Sequence, residues 1–293
     1  MRRVGVRGRA MGSDVHVITW SSSSADRLAD LALRRIALLE QCWSRFRPDS
    51  ELSLLNARAG HGPVPVSEDL ERLVSAMVAA HAWSEGDVDA TVHGAMVAMG
   101  YGADFSTIAS SAVPSSWDPV PSAGMSGVVV TAGSVALATG VAMDPGAIGK
   151  GLAGDIVTSE IDAAGAAAVL VSIGGDVVTR GTPPDAEAWQ VSLRDDRTPT
   201  RDEIGVISLA GAQRAVATSS TLRRRWAGRH HVVDPRTGSP VATDIVQASV
   251  VADCGWRAEA GATVALVRGS ASAGWLEERG CTAYLLAEVP VHA

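Results

Sequence analysis

The chain has 293 residues and a formal charge of −7, long enough to bury a substantial core in one unit spanning residues 1–293. Its acidic and basic residues are interspersed, which excludes the basic stripe of a nucleic-acid-binding surface, so nucleic acid is not expected as a partner. Cys42, Cys254 and Cys281 are odd in number and show no metal-ligand spacing, which argues against a disulfide framework or a zinc site.

Arg2, Arg3, Arg7 and Arg9 make the N-terminus basic. No apolar stretch with a small-residue cleavage site follows, as a secretory signal would require. No segment approaches about eighteen consecutive apolar residues. These patterns predict a cytoplasmic protein with no membrane span.

In chain order, alternation over Met11 to Trp20 predicts a strand. Leu28, Leu31, Ile36, Leu39 and Trp43 recur at helical spacing up to about Phe46. Ser50 suits the cap of a short helix through Asn56, and Ser67, followed by Glu68 and Asp69, suits the cap of the next helix. Residues 105–126 turn to Ser, Pro and Ala without a period and predict a long surface loop. Strands follow at 128–131 and 135–139, a turn at Asp144 and Pro145, and a helix opening near Gly149. Further strands are expected at 169–176, 190–194, 206–209, 215–218, 231–233, 247–251 and 282–287, with helices over 256–268 and 271–279. Interleaved helices and strands without a βαβ rhythm predict an α/β (α+β) fold with a mixed sheet.

Five stretches could carry chemistry. In MDPGAIGKGLAGD (Met143 to Asp155), Gly146, Gly149 and Gly151 permit close backbone approach or positive φ, and the helix start offers free N–H groups to an anion. The string is neither a P-loop nor GxGxxG, and a plain strand-to-helix turn accounts for it equally well. HHVVDPRTGSP (His230 to Pro240) reads as a hairpin, and SIGGD (Ser172 to Asp176) as a glycine-rich strand end. WSRFRPDSELSLLN (Trp43 to Asn56) sets two arginines and an aromatic before a capped helix. In RAEAGATVAL (Arg257 to Leu266), Glu259 and Thr263 share one helix face, where a carboxylate and a hydroxyl could hold a hard cation, or be a solvated acid beside a threonine.

Taken together, these blocks resemble the FAD:protein FMN transferase family, also called the ApbE family. The resemblance rests on Met11-Gly12-Ser13, Arg47 to Asn56, Asp89-Ala90-Thr91-Val92, Asp144 to Gly151, Gly174-Gly175-Asp176, Thr218-Ser219-Ser220, His231 to Gly238, and Glu259 with Thr263. They stand in family order over roughly residues 11 to 266. The resemblance implies a T-fold-related α/β architecture with FAD in a deep cleft. It implies magnesium held by the Ala147 carbonyl, Glu259 and Thr263, and a flavin ring flanked by Met11 and Phe46. Asp89, Thr91, Gly149, Lys150, Gly174, Gly175, Asp176, Thr218, Ser219 and His231 would line the cleft. His231 would take the proton of a threonine or serine hydroxyl on an acceptor flavoprotein, Lys150 would hold phosphate charge, and Asp176 is the reserve base. Magnesium-dependent hydrolysis of FAD to FMN and AMP, and flavin binding without catalysis, are the alternatives. Three departures stand out: Glu259 where the family has Asp, Ala90 where it has Pro, and the lack of the N-terminal lipoprotein signal found in many members, which fits the expected cytoplasmic enzyme.

Overall fold

The computed structural model of the chain describes residues 1–108 and 116–288. Its centre is a seven-stranded sheet: β1 (Arg2–Ala10), β2 (Ser13–Ser21), β3 (Ala168–Ile173), β4 (Asp176–Arg180), β5 (Gln213–Ser220), β6 (Ile245–Ala252) and β7 (Thr282–Ala287). Strand order in space follows order in the chain, and every neighbouring pair is antiparallel. The α/β class therefore stands, but the central sheet mixes no strand directions. Two tight turns show why. Ala10 pairs with Ser13 across Met11 and Gly12, and Ile173 pairs with Asp176 across Gly174 and Gly175. All four turn residues have positive φ, the backbone that suits two-residue hairpin loops and reverses the chain without a crossover helix. Met11, expected at the head of a strand, is thus a turn residue. β1 is an extra edge strand that the arginine-rich terminus concealed.

Helices α1 (Ala25–Trp43), α2 (Glu51–Ala57), α3 (Glu68–Trp83), α5 (Gly149–Ala163), α6 (Gly255–Arg268) and α7 (Ser272–Glu277) lie close to their expected positions, and a short α4 (His93–Ala98) is not among the expected helices. Ser50 and Ser67 each accept a hydrogen bond from the backbone N–H three residues on, as cap residues do. α1, α5 and α6 pack side by side on one face of the sheet. There Val15, Val17, Val169, Val171 and Ile173 meet Leu28, Ile36, Leu39 and Ile161. The opposite face sends Ile18, Trp20, Leu170, Val177 and Val216 against a two-stranded hairpin formed by Trp189–Arg194 and Glu203–Leu209. β3 is covered on both faces, so its sequence reads as an apolar run without alternation. A small sheet pairs 134–137 with 128–131 and 64–65.

Of the loop expected over 105–126, residues 109–115 lie outside the described residues. The described parts include 3-10 turns at Phe105–Thr107 and Met125–Gly127. Ser122 and Gly124 are tied to the Asp89–Thr91 turn: Ser122 Oγ donates to Asp89 at 2.9 Å, and the Gly124 N–H to Thr91 at 2.9 Å. The three cysteines are free. No helix among the described residues is long and apolar enough to cross a membrane.

Candidate active site

One cleft of about 620 Å³ opens where the first hairpin turn, the end of α1 and the starts of α5 and α6 converge. Its first wall is aromatic. The Phe46 and Tyr101 rings lie 5.8 Å apart, and Tyr101 continues to Trp226 at 5.1 Å and Phe105 at 5.9 Å. Arg45 is threaded through this wall, its guanidinium 4.1 Å from the Phe46 ring centre and 4.6 Å from that of Tyr101. A cation over two ring faces is attracted by both quadrupoles. Arg45 also pairs with Asp144 at 2.8 Å and donates to the Tyr101 carbonyl at 2.8 Å.

Asp144 extends the link to the turn that begins α5. Its other oxygen accepts the Gly146 N–H at 2.8 Å, and its own N–H donates to the Ala90 carbonyl at 2.8 Å. None of the four glycines of Met143 to Asp155, Gly146, Gly149, Gly151 and Gly154, has a positive φ; their use is close approach. Gly151 lies against the Gly255 backbone, where no side chain would fit.

The second wall is a charged cluster. Lys150 Nζ lies 2.5 Å from Asp176 and contacts Glu259 as well. Glu259 is 2% exposed, and its second oxygen accepts the Gly151 N–H at 2.7 Å. The anion expected at the start of α5 is therefore, in this structure, a carboxylate of the chain itself. Burial raises the Glu259 pKa, with Lys150 working against that rise. For Lys150, burial disfavours the charge, yet Asp176 and then Glu259 outweigh it and the pKa is raised. Asp176 also accepts the Thr218 N–H at 3.0 Å, and Thr218 shares a hydrogen bond with Ser249 at 2.8 Å. Thr263 borders the cleft and donates back to the Glu259 carbonyl at 3.3 Å, so its hydroxyl oxygen keeps its acceptor capacity.

Met11, Phe46, Asp89, Ala147, Gly149, Lys150, Ser219, His231, Glu259 and Thr263 all border the cleft. Thr91, Gly174, Gly175, Asp176 and Thr218 do not border it: Thr91 braces Asp89 at 2.7 Å, and Asp176 stands behind Lys150 with Thr218. Gly174 packs near the Lys150 stem, where an added Cβ would sit 3.6 Å from Cδ. His231 borders the cleft, whereas His230 does not, so the two adjacent histidines part company. Nδ1 of His231 is buried with no hydrogen-bond partner among the described residues. Burial, then Arg224, His230 and Lys150, push its pKa down to about 3.

Sequence patterns do not single out Arg45, Tyr101, Asp144 or Arg224 as a group. Arg45 is one of the two arginines in Trp43 to Asn56 and Asp144 opens the turn before α5, but Tyr101, one of two tyrosines in the chain, and Arg224, in an arginine triplet, carry no motif.

A concave site with an aromatic wall and a small set of convergent charged groups defines an α/β protein built to hold a partly aromatic, partly anionic small molecule. The chain belongs to the ApbE family, whose sequence profile matches residues 11–285. It is 24% identical over 291 residues to the FAD:protein FMN transferase of Klebsiella pneumoniae (strain 342), covering 95% of this chain and 83% of that one. It is 31% identical over 236 residues to the FAD:protein FMN transferase of Rhodobacter capsulatus, covering 78% of this chain and 44% of that one. Among solved structures, the flavin transferase ApbE from Vibrio cholerae superposes with a TM-score of 0.81 at 21% identity, covering 99% of this chain and 94% of that one. The ApbE protein from Thermotoga maritima gives 0.80 at 23% identity, covering 98% and 94%. Both structures share the fold.

Proposed function

We propose that this chain is an FAD:protein FMN transferase that uses magnesium and attaches FMN through a phosphoester bond to a threonine or serine of an acceptor flavoprotein, releasing AMP. The observation that carries the reading is the junction of the aromatic wall with the Lys150–Asp176–Glu259 cluster in one cleft, in a member of this family. The isoalloxazine ring lies along Phe46 and Met11, and the pyrophosphate lies toward Lys150. One face of Phe46 is already covered by Arg45, so the flavin uses the other.

The oxygen donors at the cleft fit a hard divalent cation. Glu259 retains lone pairs beyond those that accept from Lys150 and Gly151, the Thr263 hydroxyl donates elsewhere, and the Ala147 carbonyl borders the same space. Glu259, Thr263 and Ala147 would hold magnesium, which when bound neutralises charge on the pyrophosphate.

In the transfer, the acceptor hydroxyl oxygen bonds to the FMN phosphorus while the bond from that phosphorus to the AMP oxygen breaks. The hydroxyl proton passes to the imidazole of His231, which the lowered pKa keeps unprotonated at neutral pH. Lys150, fixed by two carboxylates, keeps its charge and orients a phosphate oxygen. We assign the protein to the cytoplasm. Incubating the pure protein with FAD, magnesium and an acceptor bearing a threonine motif, then weighing the acceptor intact, tests the reading. An acceptor heavier by one FMN supports it. An unmodified acceptor with free FMN in solution makes the protein a hydrolase.

A further inference from the structure

Glu40, Asp87, Asp89, Asp104, Asp144 and Glu259 all border the cleft. An incoming pyrophosphate adds negative charge to this acidic space, and repulsion must be offset by cations whose charge is not already committed. Arg9, Arg45, Lys150 and Arg224 border the same space. Three of these are committed: Arg9 to Asp14 at 3.5 Å, Arg45 to Asp144 at 2.8 Å, and Lys150 to Asp176 at 2.5 Å and to Glu259. Arg224 makes no side-chain hydrogen bond, ion pair or ring contact with any described residue.

The backbone bears on this too. Arg224 has φ 45°, in the left-handed region that a long side chain rarely adopts, and Ala227 repeats that value three residues on. The segment is pinned just after Arg224: the Trp226 indole and the Arg229 guanidinium each donate to the Met99 carbonyl at 2.9 Å. Its neighbours Arg223 and Arg225 are exposed, and Arg223 pairs with Asp196 at 3.2 Å. Of the triplet, Arg224 alone borders the cleft. Its charge acts on His231, Tyr101 and Asp104, which sets the guanidinium near both the imidazole and the aromatic wall.

We propose that Arg224 is a substrate-contacting residue whose guanidinium holds the pyrophosphate of FAD, on the strength of its position in the cleft and its uncommitted donors. The inference rests on reading the cleft as an FAD site. Guanidinium offers paired, parallel N–H donors that match phosphate oxygens, and it stays charged at any working pH. Arg224 would thus face the phosphates while Lys150, bound to two carboxylates, contributes less net charge.

Fluorescence titration with FAD and with riboflavin, which has the ring but no phosphate, tests this in the wild type, R224Q, R224K and R224G. Glycine removes the cation and also relieves the left-handed strain, so it guards against a folding artefact. The expected result is FAD affinity weaker by about tenfold or more in R224Q and R224G, partly restored in R224K, with riboflavin affinity changed by less than about twofold. FAD affinity unchanged in R224G, or equal losses for FAD and riboflavin, would overturn the assignment. A wild type that binds no FAD would overturn the FAD reading itself, a result distinct from either.

Discussion

A Cβ built on Gly151 would lie 2.2 Å from the carbonyl oxygen of Gly255, and one on Gly255 would lie 2.3 Å from that of Gly151. The starts of α5 and α6 therefore touch backbone to backbone. That contact delivers Glu259, one turn along α6, to the Gly151 N–H and to Lys150. Asp155 secures the same junction by accepting the Gly255 and Trp256 N–H groups at 2.7 and 3.0 Å, satisfying donors at the start of α6.

Gly151→Ala should separate the two helices. Overpacking of this kind costs about 1–3 kcal/mol, and urea denaturation should show the midpoint fall. Gly274→Ala in α7 has open space around its Cβ and a helical backbone, so it should be neutral or mildly stabilising. Equal midpoints for Gly151→Ala and the wild type would mean that the helix contact yields more easily than its geometry implies.

Asp144→Asn tests the link between the aromatic wall and the α5 turn. The substitution leaves Arg45, whose side chain is 4% exposed, as a buried charge without its partner. Breaking such a pair from one side costs about 3–5 kcal/mol. The variant should lose stability on that scale in a denaturant titration and bind FAD more weakly. Arg45→Met with Asp144→Asn together should recover part of the lost stability, because no uncompensated charge then remains.

How much of this was legible in the sequence depends on the kind of signal. Helix spacing and the Ser50 and Ser67 caps are local, and they appear where the pattern put them. β1 did not, because Arg3, Arg7 and Arg9 point outward on an edge strand and mask the alternating Val4 and Val6. Glu259 and Thr263 could be set on one helix face from their spacing alone. That Lys150 sits between Asp176 and Glu259, three residues from separate elements, is a product of the Gly151–Gly255 crossing and leaves no mark on any short window. The same holds for Arg45 and Asp144, about a hundred residues apart in sequence.

Glu259→Gln keeps the size of the side chain and removes its charge. Lys150 would then be balanced by Asp176 alone, and the oxygen set proposed for magnesium would lose its one carboxylate. Transfer activity should fall steeply and recover partly as magnesium is raised, and a chelator should abolish transfer in the wild type. Wild-type rates from Glu259→Gln at ordinary magnesium would remove Glu259 from the metal site. Mass measurement of the acceptor over a magnesium series provides the readout.

The sequence alone sets the acid limb of activity near the ordinary imidazole pKa of about 6.5. Burial, with Arg224, His230 and Lys150, instead pushes His231 down to about 3. Between these values the unfolded chain takes up a proton at this residue and the folded chain does not. The neutral imidazole thus favours the fold fully above about pH 6.5, and that contribution is lost as pH falls toward 3. Activity should stay level from pH 8 to about 5 if His231 alone governs the acid limb, since an unprotonated base is present throughout. His231→Ala should lower transfer by roughly two to four orders of magnitude, the usual worth of a general base, with FAD binding retained. Its stability should also fall less steeply than the wild type's between pH 6 and 4. His230→Ala, which removes a ring that does not border the cleft, should stay within about an order of magnitude of the wild type, since it deletes no proton acceptor. If His230→Ala is the inactive variant, the base is the other imidazole; if both variants keep wild-type rates, proton removal falls to another group, Asp176 behind Lys150 being next in line.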